Sequence, residues 1–207
     1  MDTIHIISLA MGASWASGIN LYATVCMLGF MGLTGNIDLP PDLQILSNPL
    51  VLAAAGFMYV VEFFTDKIPG VDTLWDALHT FIRIPAGAIL AAGTVGELGQ
   101  GAELAALLLG GGIATGTHLG KSGSRVLINT SPEPVTNWTA SIGEDIAVIG
   151  GLWTALQYPW LFLVLFIIFV VLLIWLLPKI WRGIVIVFRK IRTLFTSNSN
   201  ENKPPPM

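Results

Sequence analysis

Trp160–Leu177 reads WLFLVLFIIFVVLLIWLL, without a charge and with Trp160 and Trp175 near its ends. A bilayer core is crossed by about 20 mostly apolar residues, and tryptophan rings favour the two interfaces. This stretch predicts a transmembrane helix, and the rest of the chain is read outward from it. Five more apolar stretches precede it, at about 6–33, 48–65, 74–96, 102–120 and 138–157, with the last span placed at 159–177. Each of the five is interrupted by Gly, Pro, Asn or charge, which lipid tolerates where the backbone faces protein or a water-filled cavity.

Composition agrees. Hydrophobic residues make up 54% of the 207 and charged residues 11%, with a mean hydropathy of +0.73, against about 45–50% apolar in soluble domains. The reading is an all-α integral membrane protein, a compact bundle of about six transmembrane helices with broken helices. Residues 1–177 form the membrane domain, 178–195 a basic amphipathic interfacial helix, and 196–207 a disordered polar tail. No basic residue precedes the first apolar stretch, so it reads as a retained span and not a cleaved signal. Cys26 is the only cysteine, which excludes an internal disulfide. No cofactor motif is present and none is expected.

Lys179, Arg182, Arg189, Lys190, Arg192 and Lys203 all follow Pro178. With these, Lys67 and Lys121–Arg125 on the inside, the positive-inside rule places both termini on the cytoplasmic side of the cell inner membrane. The basic C-terminal helix would lie against anionic headgroups. A basic cluster abutting a membrane span does not suggest nucleic acid. The Gly- and Ala-rich faces at 86–93 and 110–116 suit close helix packing, a homodimer included.

Function is sought in the charges within the spans, because each costs about 2.5–3.5 kcal/mol at the bilayer centre on insertion scales. Glu62 and Asp66 are four apart. Asp72, Asp76, His79 and Arg83 follow at helical spacing along one stripe, after a break forced by Pro69-Gly70. His118, Lys121, Arg125 and Asn129 recur on a second face, and Glu144 with Asp145 heads a third. The expected arrangement is an ion-pair network in the cytoplasmic half of the bundle, with Arg83 and Arg125 each gripping a carboxylate by two prongs. Asn20 and His118 stand out for another reason. Ala16-Ser17-Gly18-Ile19-Asn20-Leu21 echoes Ala114-Thr115-Gly116-Thr117-His118-Leu119, and six alternating spans would run the two in opposite directions, as an inverted repeat does.

The segments GINLYATV, VEFFTDKIPGVDTLWDALHTFIRIPAGA, GTHLGKSGSRVLINTSPEP and SIGEDIAV resemble the signature blocks of the domain of unknown function 4126 family of bacterial membrane proteins. The resemblance covers about residues 10–160 and implies a compact multi-span membrane protein. It carries no activity.

Three functions compete. A transporter or channel for a small ion or polar solute would use Asn20, Glu62, Asp66, Asp72, Asp76, His79, Arg83, His118, Lys121, Arg125, Asn129, Glu144 and Asp145 as pathway or coupling site. A scaffold would use them only to fix packing. A lipid head-group enzyme would need a divalent metal on Asp72, Asp76 and His79 and a phosphate on Lys121 and Arg125. No HExxH, GxSxG or P-loop pattern supports the enzyme.

Overall fold

A computed structural model describes residues 2–130 and 134–201. All the regular elements among them are helical. They are α1 (Thr3–Ile19), α2 (Leu21–Leu33), a 3-10 helix (Pro41–Ser47), α3 (Pro49–Thr65), α4 (Val71–Val95), a 3-10 turn (Gly96–Leu98), α5 (Gln100–Ile128), α6 (Pro134–Gln157) and α7 (Pro159–Glu201).

The first apolar stretch is not one helix. Asn20 is extended, at φ −145° and ψ 99°, and its side-chain oxygen accepts the Ala23 N–H at 2.9 Å to cap α2. Its own N–H closes α1 on the Ala16 carbonyl at 2.8 Å. One polar residue thus ends one helix and starts the next. α1 descends beside α4, Ser14 and Ser17 donating to the Gly87 and Arg83 carbonyls at 3.0 and 3.1 Å. α2 then climbs back: Gly29 lies against Leu46 of the 3-10 helix, whose Leu43 and Asp42 reach Gly93 and Gly96 at the upper end of α4. Residues 3–33 are therefore a helical hairpin with its tip at Asn20. At about 1.5 Å per residue α1 and α2 are about 25 and 20 Å long, each short of a bilayer core of about 30 Å.

From the upper end α3 runs down, α4 up, α5 down, α6 up and α7 down. α4 and α5 pack closely through small residues, where a Cβ on Gly87 would meet Ala114 at 2.5 Å and one on Gly110 would meet Ala91 at 2.5 Å. The Gly/Ala faces considered for a homodimer are used inside the chain. α6 runs against α1, Ser8 donating to the Ala155 carbonyl at 2.8 Å. α7 runs alongside α5, with Ile180 over Gly123 and Leu127 over Gly183.

Three expectations change. The start of α1 and the end of α7 lie at opposite ends of the bundle, where six alternating spans would put the first and last helix ends together. α1 and α5 run parallel, Gly18 lying against Thr117 and the Ala114 carbonyl, so the echoed segments are side by side and not inverted. And α7 continues through Pro178 to Glu201, because proline's φ is helical and one hydrogen bond is its main loss. Helix thus extends into 196–201, and 202–207 lie outside the described residues.

By length and composition, two described helices can cross a membrane: Val71–Leu98 at mean hydropathy 1.3 and Pro159–Arg189 at 3.3. The pair Pro41–Ser47 and Pro49–Thr65, bent by 66°, makes a third only if the two are one broken span. α5 and α6 are long enough, but their inward polar rows lower their hydropathy.

A Cβ on Gly18 would collide with Thr117 and with backbone at Ala114, whereas one on Gly112 meets nothing within 4 Å. Gly18→Ala is expected to destabilise the purified protein by about 1–3 kcal/mol. Gly112→Ala should be neutral or stabilising by up to about 1 kcal/mol. Thermal and denaturant unfolding of the two variants checks this.

Candidate functional site

Asp72, Asp76, His79 and Arg83 do fall on one stripe of α4, and all four are buried. Gly70 makes this possible: at φ +85° it takes a backbone few other residues adopt, turning the chain sharply from α3 into α4. The lower end of α3 then brings Glu62 and Asp66 against α4 and α5.

Lys121 of α5 is the hub. Its Nζ lies 2.8 Å from Asp66, 3.4 Å from Glu144, 3.5 Å from Glu62 and 3.7 Å from Asp76. It also donates to the Ile19 carbonyl at 3.1 Å, the last carbonyl of α1, so the hairpin tip is tied directly to the ionic core. Arg83 joins two acids, Asp76 Oδ1 at 2.8 Å and Glu62 Oε1 at 2.7 Å. That differs from the expected two-pronged grip on one carboxylate: placed between α3 and its own helix, the guanidinium bridges both. Arg125 does make a two-pronged pair, its Nε and Nη2 reaching Glu144 at 3.2 and 2.7 Å. It further binds the Asp66 and Asn137 carbonyls at 3.0 and 3.2 Å.

The flanks are ordered too. Asp72 accepts from Asn129 at 2.7 Å and from the Gly70 N–H at 2.9 Å, and Asn137 donates to Asn129 at 2.8 Å. Asn20 donates to Asp145 at 3.1 Å, and Tyr59 of α3 lies near the same carboxylate. His118 lies 2.7 Å from the Thr80 hydroxyl and 3.5 Å from Arg83. Thr80 donates onward to the Asp76 carbonyl at 3.0 Å.

His79 stands apart. Its ring stacks on Trp75 at 4.1 Å. Nδ1 donates to the Trp75 carbonyl at 2.9 Å, leaving Nε2 to accept from Tyr22 at 3.0 Å. Asp72, Asp76 and His79 therefore do not converge, and no group of three or more His, Cys, Asp or Glu among the described residues is placed to hold a metal. Lys121 and Arg125 are likewise taken up by carboxylates and offer no phosphate grip.

Sequence spacing did not reveal Tyr22, Tyr59 or Thr80. Thr80 could have been found, since it is one helical turn after Asp76. The tyrosines are placed by the hairpin and by α3, which no local pattern encodes.

Charge is the last property of the site. Three cations, Arg83, Lys121 and Arg125, lie within 4.0 Å of five carboxylates, Glu62, Asp66, Asp72, Asp76 and Glu144. Asp145 adds a sixth acid. Lys67 is a fourth buried cation, but it sits over the Phe63 ring at 3.0 Å and donates to Ser141 and the Phe63 carbonyl. One oxygen each on Glu62, Asp66, Asp72 and Asp76 has no hydrogen-bond partner.

The family model described as Domain of unknown function (DUF4126) matches residues 7–179. The chain belongs to this family. The match takes in all of the ionic core and reaches beyond the last apolar span to Lys179, further than the four signature blocks alone. No curated protein and no solved structure matches the chain.

Removing one partner of a buried ion pair leaves the other uncompensated, at about 3–5 kcal/mol, while replacing both by apolar residues is often neutral. Arg125→Ala is expected to destabilise by that amount. Arg125→Met combined with Glu144→Leu should recover most of the loss, as read from denaturant unfolding of the purified variants.

Proposed function

We propose that this chain is a multi-span protein of the cytoplasmic membrane that moves or couples a small cation, the proton first, through its buried ionic core. The observation that carries the reading is the charge surplus. Among the described residues five carboxylates lie within 4.0 Å of three cations, and four of the acids keep an oxygen without a partner. A network that only fastened helices together would gain nothing from two extra negative charges, each costing several kcal/mol in a low-dielectric setting. Protons bound within the core remove that cost, and exchanging them is the elementary step of a proton-coupled carrier.

The hairpin supports the same reading. A broken helix exposes polar backbone at depth, the device by which transporters ligate ions near the bilayer centre. Here the tip residues Ile19 and Asn20 are bound to Lys121 and Asp145. A change of charge on the acids would alter the contacts that hold the tip. In this arrangement α3 to α7 are five spans and α1–α2 dips in from the upper side. The lower end, carrying Lys67, Lys179, Arg182 and Arg189, faces the cytoplasm. The upper end, with Asp42, Glu97 and Glu103, faces out, and with it the N-terminus.

Reconstitution into liposomes with an entrapped pH-sensitive dye tests this. Wild-type protein under an imposed potential is expected to acidify or alkalinise the lumen. Asp76→Asn should slow the change at least about a hundredfold, the lower range for loss of a proton-transfer group. If folded wild-type protein moves no protons, sodium or potassium, the core is a fastening and the chain a scaffold.

A further inference from the structure

Between α4, α5 and α7 lies a cavity of about 610 Å³, walled by Thr73, Ala77 and Thr80 of α4, Val126 of α5, and Pro178 and Ile184 of α7. A second, of about 500 Å³, shares Thr73 and Val126 and continues to Asn129, Val187 and Phe188. Together they form a groove along the lower part of α7. The hydroxyls that border it are already used inward: Thr80 on the Asp76 carbonyl at 3.0 Å, Ser122 on the His118 carbonyl at 2.9 Å, and Thr73 as acceptor from Asn129 at 2.8 Å. What the groove offers an occupant is therefore hydrocarbon contact.

Its rim has the opposite chemistry. Lys179, Arg182 and Arg189 are exposed, and none is in an ion pair among the described residues, in contrast to Arg83, Lys121 and Arg125. Arg182 and Arg189 follow Pro178 by four and eleven residues, which puts them just outside the Pro178 edge of the groove, beside its lining and not within it. Trp175 and Trp181, 61% and 68% exposed, mark this level as interfacial, and Lys179 lies 2.8 Å over the Trp175 ring. An apolar slot below which unpaired cations wait is complementary to a molecule with a hydrocarbon chain and an anionic head.

We propose that this groove is a binding site for one anionic phospholipid, an acyl chain lying between α4 and α7 and the phosphate held by Arg182 and Arg189. The proposal rests on the membrane placement given above but not on proton movement, which is measured separately.

The full chain, purified and stripped of lipid, would be titrated with phosphatidylglycerol or with phosphatidylcholine of the same chain length and examined by native mass spectrometry. One phosphatidylglycerol should be retained, with phosphatidylcholine at least about tenfold weaker, given about 1 kcal/mol per cation near an anionic head. The Arg182→Ala/Arg189→Ala variant should lose that preference, and Ala77→Phe, which fills the slot from an exposed position, should lose both lipids. Inorganic phosphate should not compete. Equal retention of the two lipids by wild-type protein, wild-type binding by Ala77→Phe, or displacement by inorganic phosphate would each overturn the proposal. If Ala77→Phe does not fold, the arginine variant, changed only at exposed positions, decides the matter.

Discussion

A single ammonium group, Lys121 Nζ, organises this molecule. Buried at the centre of four carboxylates and one helix-end carbonyl, it would carry a prohibitive desolvation cost without them. Each partner comes from a different place: Ile19 from the hairpin tip, Glu62 and Asp66 from the end of α3, Asp76 from α4, Glu144 from α6. The lysine can be satisfied only if all these elements arrive together. The turn at Gly70, the break at Asn20 and the close small-residue packing of α4 on α5 are what bring them.

Around that hub the acids outnumber the bases among the described residues. Arg125 and Glu144 make a balanced pair with full geometry. Glu62, Asp66 and Asp76 share their cations and each leaves an oxygen without a partner. Among the described residues Asp145 has no cation within 4 Å, and Asn20 donates to it. The two histidines sit beside it, His118 against Thr80 and His79 against Tyr22.

Much of this was legible in the sequence because local periodicity encodes it. The Asp72–Asp76–His79–Arg83 stripe, the break at Pro69-Gly70 and the cationic face of α5 follow from helical spacing. So does the two-pronged Arg125 pair, though its partner does not. The hairpin was not legible: Asn20 looks like one polar residue within an apolar span, and whether a helix kinks there or reverses depends on what α2 meets, namely Leu46 and its 3-10 helix. From that one reversal follow the parallel run of α1 and α5 and the separation of the termini. His79 left the stripe's chemistry because stacking on Trp75 turns its ring away from Asp76, and side-chain rotation is invisible to spacing.

The account depends most on protons residing in the core. Infrared absorption of the protein in lipid bilayers near neutral pH, compared with the Glu62→Gln, Asp76→Asn and Asp145→Asn variants, reads this directly. A carboxylic acid C=O band in the wild-type protein that diminishes in at least one variant is the predicted result. A spectrum in which every one of these carboxyl groups is ionised would contradict it.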